Sequence, residues 1–192
     1  TGTWTLTSTQ TGVSFADANL HNTVVNGLLP GQTYTFKWTI DGQSPCPPTN
    51  DEVNVKVDLL SEGGTTTGAT TVCAGTNTGT VTLSGQVGNV IRWESSTNGT
   101  TWNNITSTAN TISYLNLNAT TRYRALVQSG VCASAYSTET IITVNQRVTV
   151  ANAGSDQNLC NVTSTTLAGN LPTVGTGTWT LTSTQTGVSF AD

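Results

Sequence analysis

The sequence predicts an all-β chain of tandem β-sandwiches. Three observations carry that expectation. Apolar and polar residues alternate over short runs. Turn signals separate those runs at intervals of about 8–12 residues, the spacing expected of sandwiches. No stretch shows a convincing 3.6-residue period, so helices are not expected.

The clearest run is residues 32–40, QTYTFKWTI. Tyr34, Phe36, Trp38 and Ile40 fall on one face, and Thr33, Thr35, Lys37 and Thr39 on the other, the pattern of a half-buried strand. Val53, Val55 and Val57 alternate with Asn54 and Lys56 in the same way. Further along, Ile91 and Trp93 are expected on one face, as are Tyr123, Ala125 and Val127. Trp4 and Leu6 do likewise, and so do Trp179 and Leu181.

That last correspondence is part of a longer one. Residues 1–17 and 176–192 are both TGTWTLTSTQTGVSFAD, identical at all seventeen positions and offset by 175. Fixed-order Trp, Phe, Gln and Asp exclude chance from low complexity. The expected parent is a repeat of 175 residues, of which this chain spans slightly more than one period. Arrays of like modules serve reach and multivalency.

Composition narrows the setting. Charged residues make up 8% of the chain, against roughly 25% in an average soluble protein. Threonine alone supplies 42 of 192 residues, and it suits a pleated surface. Hydroxyls and amides therefore solvate the exterior, as expected of an extracellular wall or filament protein. Net charge is −4 and the isoelectric point about 4.7, with six scattered basic residues, which argues against nucleic acid. No 18-residue apolar run exists to span a membrane as a helix.

The expected domain organisation follows from these shifts. Residues 1–58 form the C-terminal part of one sandwich. Residues 59–70, LLSEGGTTTGAT, form a linker. Residues 71–144 form a second sandwich, and 145–192 the N-terminal part of the next. In both modules a Leu precedes a strand Tyr by six residues, Leu28 before Tyr34 and Leu117 before Tyr123. That spacing fits a tyrosine corner, in which the hydroxyl bonds back to the backbone.

The four cysteines form no C-x-x-C pair, and the chain has one histidine, so zinc is not expected. Cys73 and Cys132 lie 59 residues apart. By the 175-residue period, Cys160 lies 61 residues before the next copy of Cys46. The near-equal spacings suggest a Cys73–Cys132 disulfide and a Cys160 bond to Cys46 of the next repeat, each worth about 4 kcal/mol by loop closure. Such bonds would imply an oxidising compartment. Four buried free thiols are the alternative.

Catalytic machinery is not expected. His21 lies in the turn-rich stretch ANLHNTVV, and no serine sits in a G-x-S-x-G elbow. Asp51, Glu52 and Asp156 are the candidate calcium ligands, set against ordinary turn capping. Trp102 follows NGTT, which makes it the candidate exposed aromatic for ligand binding, set against a hydrophobic anchor. Trp93 and Trp38 have the position of core tryptophans.

The segment ANAGSDQNLC…LAGNLPTVGTGTWTLTS, continued by VNGLLPGQTYTFKWTIDG…CPPTNDEVNVKV, resembles the PKD-like modules of Bacteroidetes surface proteins. The segment VCAGTNTGTVTLSGQVGNVIRWESSTNGTTWNNI…YRALVQSGVCASAYSTETIITV resembles their companion Ig-like modules. Together they cover nearly the whole chain. The resemblance implies immunoglobulin-like sandwiches in a giant adhesin of the SprB-like, gliding-motility type, exported by type IX secretion. It equally allows a spacer in a secreted polysaccharide-degrading enzyme, or a carbohydrate-binding module. The implied partners are neighbouring copies of the repeat and surface glycans or a substratum.

Overall fold

The computed structural model describes residues 2–191; Thr1 and Asp192, the outer ends of the duplicated segments, lie outside the described residues. The chain is all-β. The described residues form fourteen strands, β1 (Gly2–Leu6), β2 (Ser14–Phe15), β3 (Val25–Asn26), β4 (Thr33–Ile40), β5 (Thr49–Lys56), β6 (Thr65–Thr67), β7 (Thr70–Cys73), β8 (Thr78–Ser84), β9 (Asn89–Ser96), β10 (Asn103–Ile105), β11 (Thr111–Leu115), β12 (Thr121–Gln128), β13 (Ala135–Tyr136) and β14 (Thr140–Asn145).

The N-terminal part has a three-stranded sheet, β1-β4-β5, and a small β2-β3 ribbon. The alternation expected over 32–40 is realised in β4, but burial fades along it. Tyr34 and Phe36 are buried, Trp38 is partly covered, and Ile40 is exposed. Tyr34 makes the expected corner, its hydroxyl accepting a hydrogen bond from the Leu29 amide at 2.8 Å. Trp4 packs on Trp38, with ring centroids 5.1 Å apart. Gly2 lies beneath the Trp38 ring, and a Cβ there would run into it.

The middle part is a sandwich. One sheet runs β10-β9-β12-β14-β7, with β13 on the far end of β12, and the other runs β11-β8-β6. Val81 and Leu83 of β8 and Ile112 and Tyr114 of β11 face Val90, Trp93, Tyr123, Ala125, Val127 and Ile142 across one core. Trp93 is fully buried and donates its indole N–H to the Ala109 carbonyl at 2.8 Å. Tyr123, in the position of a second corner, stacks on Tyr114 at 6.3 Å.

Two expectations are corrected here. Residues 59–70 are not a linker. Ser61 and Thr66 are buried, Glu62 bridges to Val87, and β6 pairs with β8. Glycine and threonine content resembles linker composition, but here it builds a sandwich's first strand. Ile91 and Trp93 do not share a face either. The β9–β12 register shifts, so that Val90 opposes Val127 while Arg92 opposes Leu126. Ile91 is the extra residue of a bulge and is exposed, and Val90 takes its place inside.

Residues 146–191 contain no strand. Two stretches of this segment approach each other antiparallel. The Thr149 amide donates to the Val174 carbonyl, and the Asn170 amide to the Asn152 carbonyl, each at 3.0 Å. Gln157 donates to the Thr166 carbonyl at 2.9 Å. Beyond them, Trp179, Leu181, Val188 and Phe190 are all exposed.

Candidate functional site

The most organised polar cluster lies on the outer face of the middle sandwich. Alternation sends Trp93 inward, so Arg92 and Glu94 of β9 point outward, as does Arg124 of β12. Register places Glu94 directly opposite Arg124, and Leu126 opposite both Arg92 and Tyr136. Glu94 is 3% exposed, and its oxygens are well supplied with donors. Arg92 donates to Oε1 through Nε at 2.9 Å and Nη2 at 2.6 Å. Arg124 donates to Oε2 through Nε at 2.9 Å, with its Nη2 at 2.8 Å. The Tyr136 hydroxyl donates to Oε1 at 3.2 Å.

Arg124 is held on a second axis as well. Its guanidinium carbon lies 3.8 Å from the Trp102 ring centroid and 3.9 Å from that of Tyr136. A planar cation stacked on two rings gains from both quadrupoles. Trp102 is thus half-buried, one face covered by Arg124. The patch combines one carboxylate, two guanidiniums and two aromatic rings.

Burial acts on the Glu94 carboxyl by pushing it upward. The hydrogen bonds and charges of Arg92 and Arg124 outweigh that push and hold it below its ordinary value of 4.5. A lowered folded-state value stabilises the fold above the ordinary value, and that gain disappears as pH falls through the folded one. Glu94→Gln is therefore expected to cost about 1–2 kcal/mol at pH 7. This figure is discounted because Arg92 and Arg124 are 33% and 20% exposed and screened by water. The difference should shrink as pH falls below 4.5 and through the lower folded-state value. Urea unfolding along a pH series from 7 downward checks this; a penalty that does not change with pH would assign the cost to shape rather than charge.

The other candidates are dispersed. Cys73 and Cys132 sit at opposite poles of the middle sandwich, so the expected disulfide is not formed. Cys73 is level with Asn145, three residues past Ile142, which pairs with Thr121. Cys132 follows the other end of β12 and lies against the Asp58 carbonyl. Roughly ten strand residues separate their levels, about 30 Å, whereas a disulfide needs Cα atoms within about 7 Å. All four cysteines are free thiols here. Cys46 is exposed in the β4–β5 connection, and Cys160 is exposed in the strandless segment.

Asp51 and Glu52 are neighbours on β5, opposite Trp38 and Lys37, and so point to opposite faces. Asp156 lies in the strandless segment. Among the described residues no three His, Cys, Asp or Glu side chains gather as a metal-binding group. His21 is exposed, and its carbonyl accepts the Trp4 indole N–H at 3.3 Å. Among the described residues no helix is long and apolar enough to cross a membrane.

Sequence reasoning singled out Trp102 but missed its partners. In a chain with so few charges, R-W-E in β9 and R-Y-R in β12 were the available signal. Alternation around a core aromatic in each strand puts those charges on one outer face. No curated protein sequence matches the chain. Residues 62–146, from the isolated bridge at Glu62 to just past β14, match a family described as a domain of unknown function, DUF8696.

Proposed function

We propose that this chain is a structural repeat of a secreted, filamentous cell-surface adhesin or appendage, which extends and displays binding sites. The supporting observation is polar connectivity. The chain enters the middle sandwich beside Cys132, where Asp58 accepts the Val131 amide at 3.1 Å and Ser61 accepts the Ser129 amide at 2.9 Å. It leaves at the other pole, where Arg147 donates to the Ala74 carbonyl at 2.7 Å. Segments bearing the same sequence thus extend from opposite ends, so successive repeats add in line rather than folding back.

In this reading the sandwiches are immunoglobulin-like and PKD-like modules, exported by type IX secretion. Glycans or a substratum are the adhesive target. A spacer inside a polysaccharide-degrading enzyme would use the same mechanics. A sugar platform at Trp102 is less favoured, because Arg124 already occupies one face of the ring.

A covalent array of three repeats tests the geometry, and immunogold labelling of intact producing cells tests the location. Two modules of roughly 30–40 Å each predict a rod of about 200 Å in small-angle scattering, with gold on the cell exterior. A compact particle would sink the extended-filament reading, and label confined to the cytoplasm would sink the surface assignment.

A further inference from the structure

We infer that the parallel β7–β14 ladder is the force-bearing clasp of the middle sandwich. Tension along the chain shears this ladder, and the sandwich stays folded until it parts. The inference deepens the display reading by giving the module a mechanical function. It rests on that reading only for the source of the tension.

Topology sets the direction of load. The chain enters at the Cys132 pole, where Ser61 accepts the Ser129 amide. There the Glu62 and Val87 amides each donate to the other's carbonyl, at 3.1 and 3.0 Å. The chain leaves at the Ala74 pole, just past Asn145. Between those poles β7 and β14 run parallel, with Thr70 level with Ile142 and Cys73 level with Asn145. A pull on the flanking segments therefore draws β7 towards one pole and β14 towards the other. Ladder hydrogen bonds lie across the strands, so this sliding loads all of them together. Strands peeled apart from one end would instead give way one bond at a time.

The alternation of backbone groups shows which of them carry the load. The Val144 amide donates to the Thr120 hydroxyl at 3.0 Å, on the β12 side. Its neighbours Thr143 and Asn145 therefore turn their backbone groups towards β7. The Ala74 amide donates to the Asn145 carbonyl at 2.8 Å, in agreement. On β7 the same alternation turns Val72 towards β14 and Thr71 away from it, β7 being the edge of its sheet. Arg147 adds a stitch at the exit, its Nε donating to the Ala74 carbonyl at 2.7 Å.

The entering chain is shared between the two sheets. β6 pairs with β8, and β7 with β14. Gly68 makes the crossing, with a φ of 112° and no room for a Cβ beside the Thr80 carbonyl. Thr66 is tied to Thr138, its amide donating to Oγ1 at 2.9 Å and its hydroxyl to the carbonyl at 2.8 Å. β6 thus sheds part of the load to the opposite sheet, whereas β7 passes it straight to the strand that leaves. β14 carries Ile142 and Val144, both buried, so its departure opens the core. All four thiols are free, so no cross-link shortens the chain that is then released.

The test pulls the full chain by its two ends at constant force. Unravelling of residues 62–146 is recognised as a step of about 250–280 Å. At a fixed pull, Val72→Pro deletes a ladder donor and should speed that step about tenfold or more. Arg147→Ala, at the exposed exit, should speed it about threefold, and it carries the test if Val72→Pro does not fold. Thr71→Pro, whose backbone nitrogen faces away from β14, should stay within about twofold of the parent chain. Ile112→Ala, in the core on the opposite sheet, should weaken the sandwich to urea yet stay within about twofold under force. Parent-like unfolding of both Val72→Pro and Arg147→Ala overturns the proposal. So does acceleration by Thr71→Pro or Ile112→Ala equal to that of Val72→Pro, which would place the strength outside the ladder. None of these outcomes bears on where the protein resides or on the shape of a covalent array, so the two readings fail separately.

Discussion

Replacing Trp93 with alanine is expected to lower the melting temperature of the middle sandwich by roughly 15–30 °C. Trp93 is the largest fully buried side chain, at 0% exposure, and it touches the core from both sheets. Truncating such a residue removes its transfer energy and leaves a cavity, together about 3–5 kcal/mol. A domain of this size is stable by only about 4–13 kcal/mol, and each kcal/mol is worth about 4–8 °C. The indole also bridges to Ala109 in the loop between β10 and β11, so the substitution frees that loop. Trp102→Ala is the control. It removes a half-buried ring stacked on Arg124, and should shift the melt by only a few degrees. Far-UV circular dichroism of both variants checks this. A loss below about 5 °C in Trp93→Ala would mean that the two sheets do not share one core.

The fold was legible where the signal was local or strictly alternating. Tyr34, Phe36 and Trp38 announced β4, and the Tyr34 corner followed from a spacing within one turn. Turn chemistry was equally local. Gly12 and Gly187, the same repeat position, have φ values of 83° and 82° although one copy forms strands and the other does not. Left-handed backbone at glycine costs nothing and needs no partner. Strand pairing needs one. TGTWTL reads as a strand in both copies, and only the copy beside β4 becomes one. Non-local register was the least visible. One extra residue at Ile91 reversed the expected face of that side chain, and a parallel β7–β14 pair carried Cys73 away from Cys132. Sequence separation between cysteines says nothing about which pole of a sandwich each occupies. The Glu94 cluster was hidden for the same reason, since β9 and β12 are adjacent only in the folded sheet.

Moving residues 148–175 to precede residue 1, so that the chain ends at residue 147, is expected to create a second cooperative domain. The permuted chain holds residues 148–175 and 1–147 once each and omits the second copy of the duplicated stretch. Residues 148–175 and 1–58 would then form a continuous unit of about 86 residues, which a self-standing domain stabilises by about 4–13 kcal/mol. In the present order that part has a groove open to water and Val53 exposed on it. Closing the groove buries Trp4, Phe15, Val25 and the β5 valines, each regaining roughly 1 kcal/mol or more. Urea unfolding should gain a second transition, and acrylamide should quench Trp4 and Trp38 less. The middle sandwich should melt where it did before, its core lying within β7 to β14. One unchanged transition, with Trp4 and Trp38 as accessible as before, would show that residues 148–175 are not what the N-terminal sheet lacks.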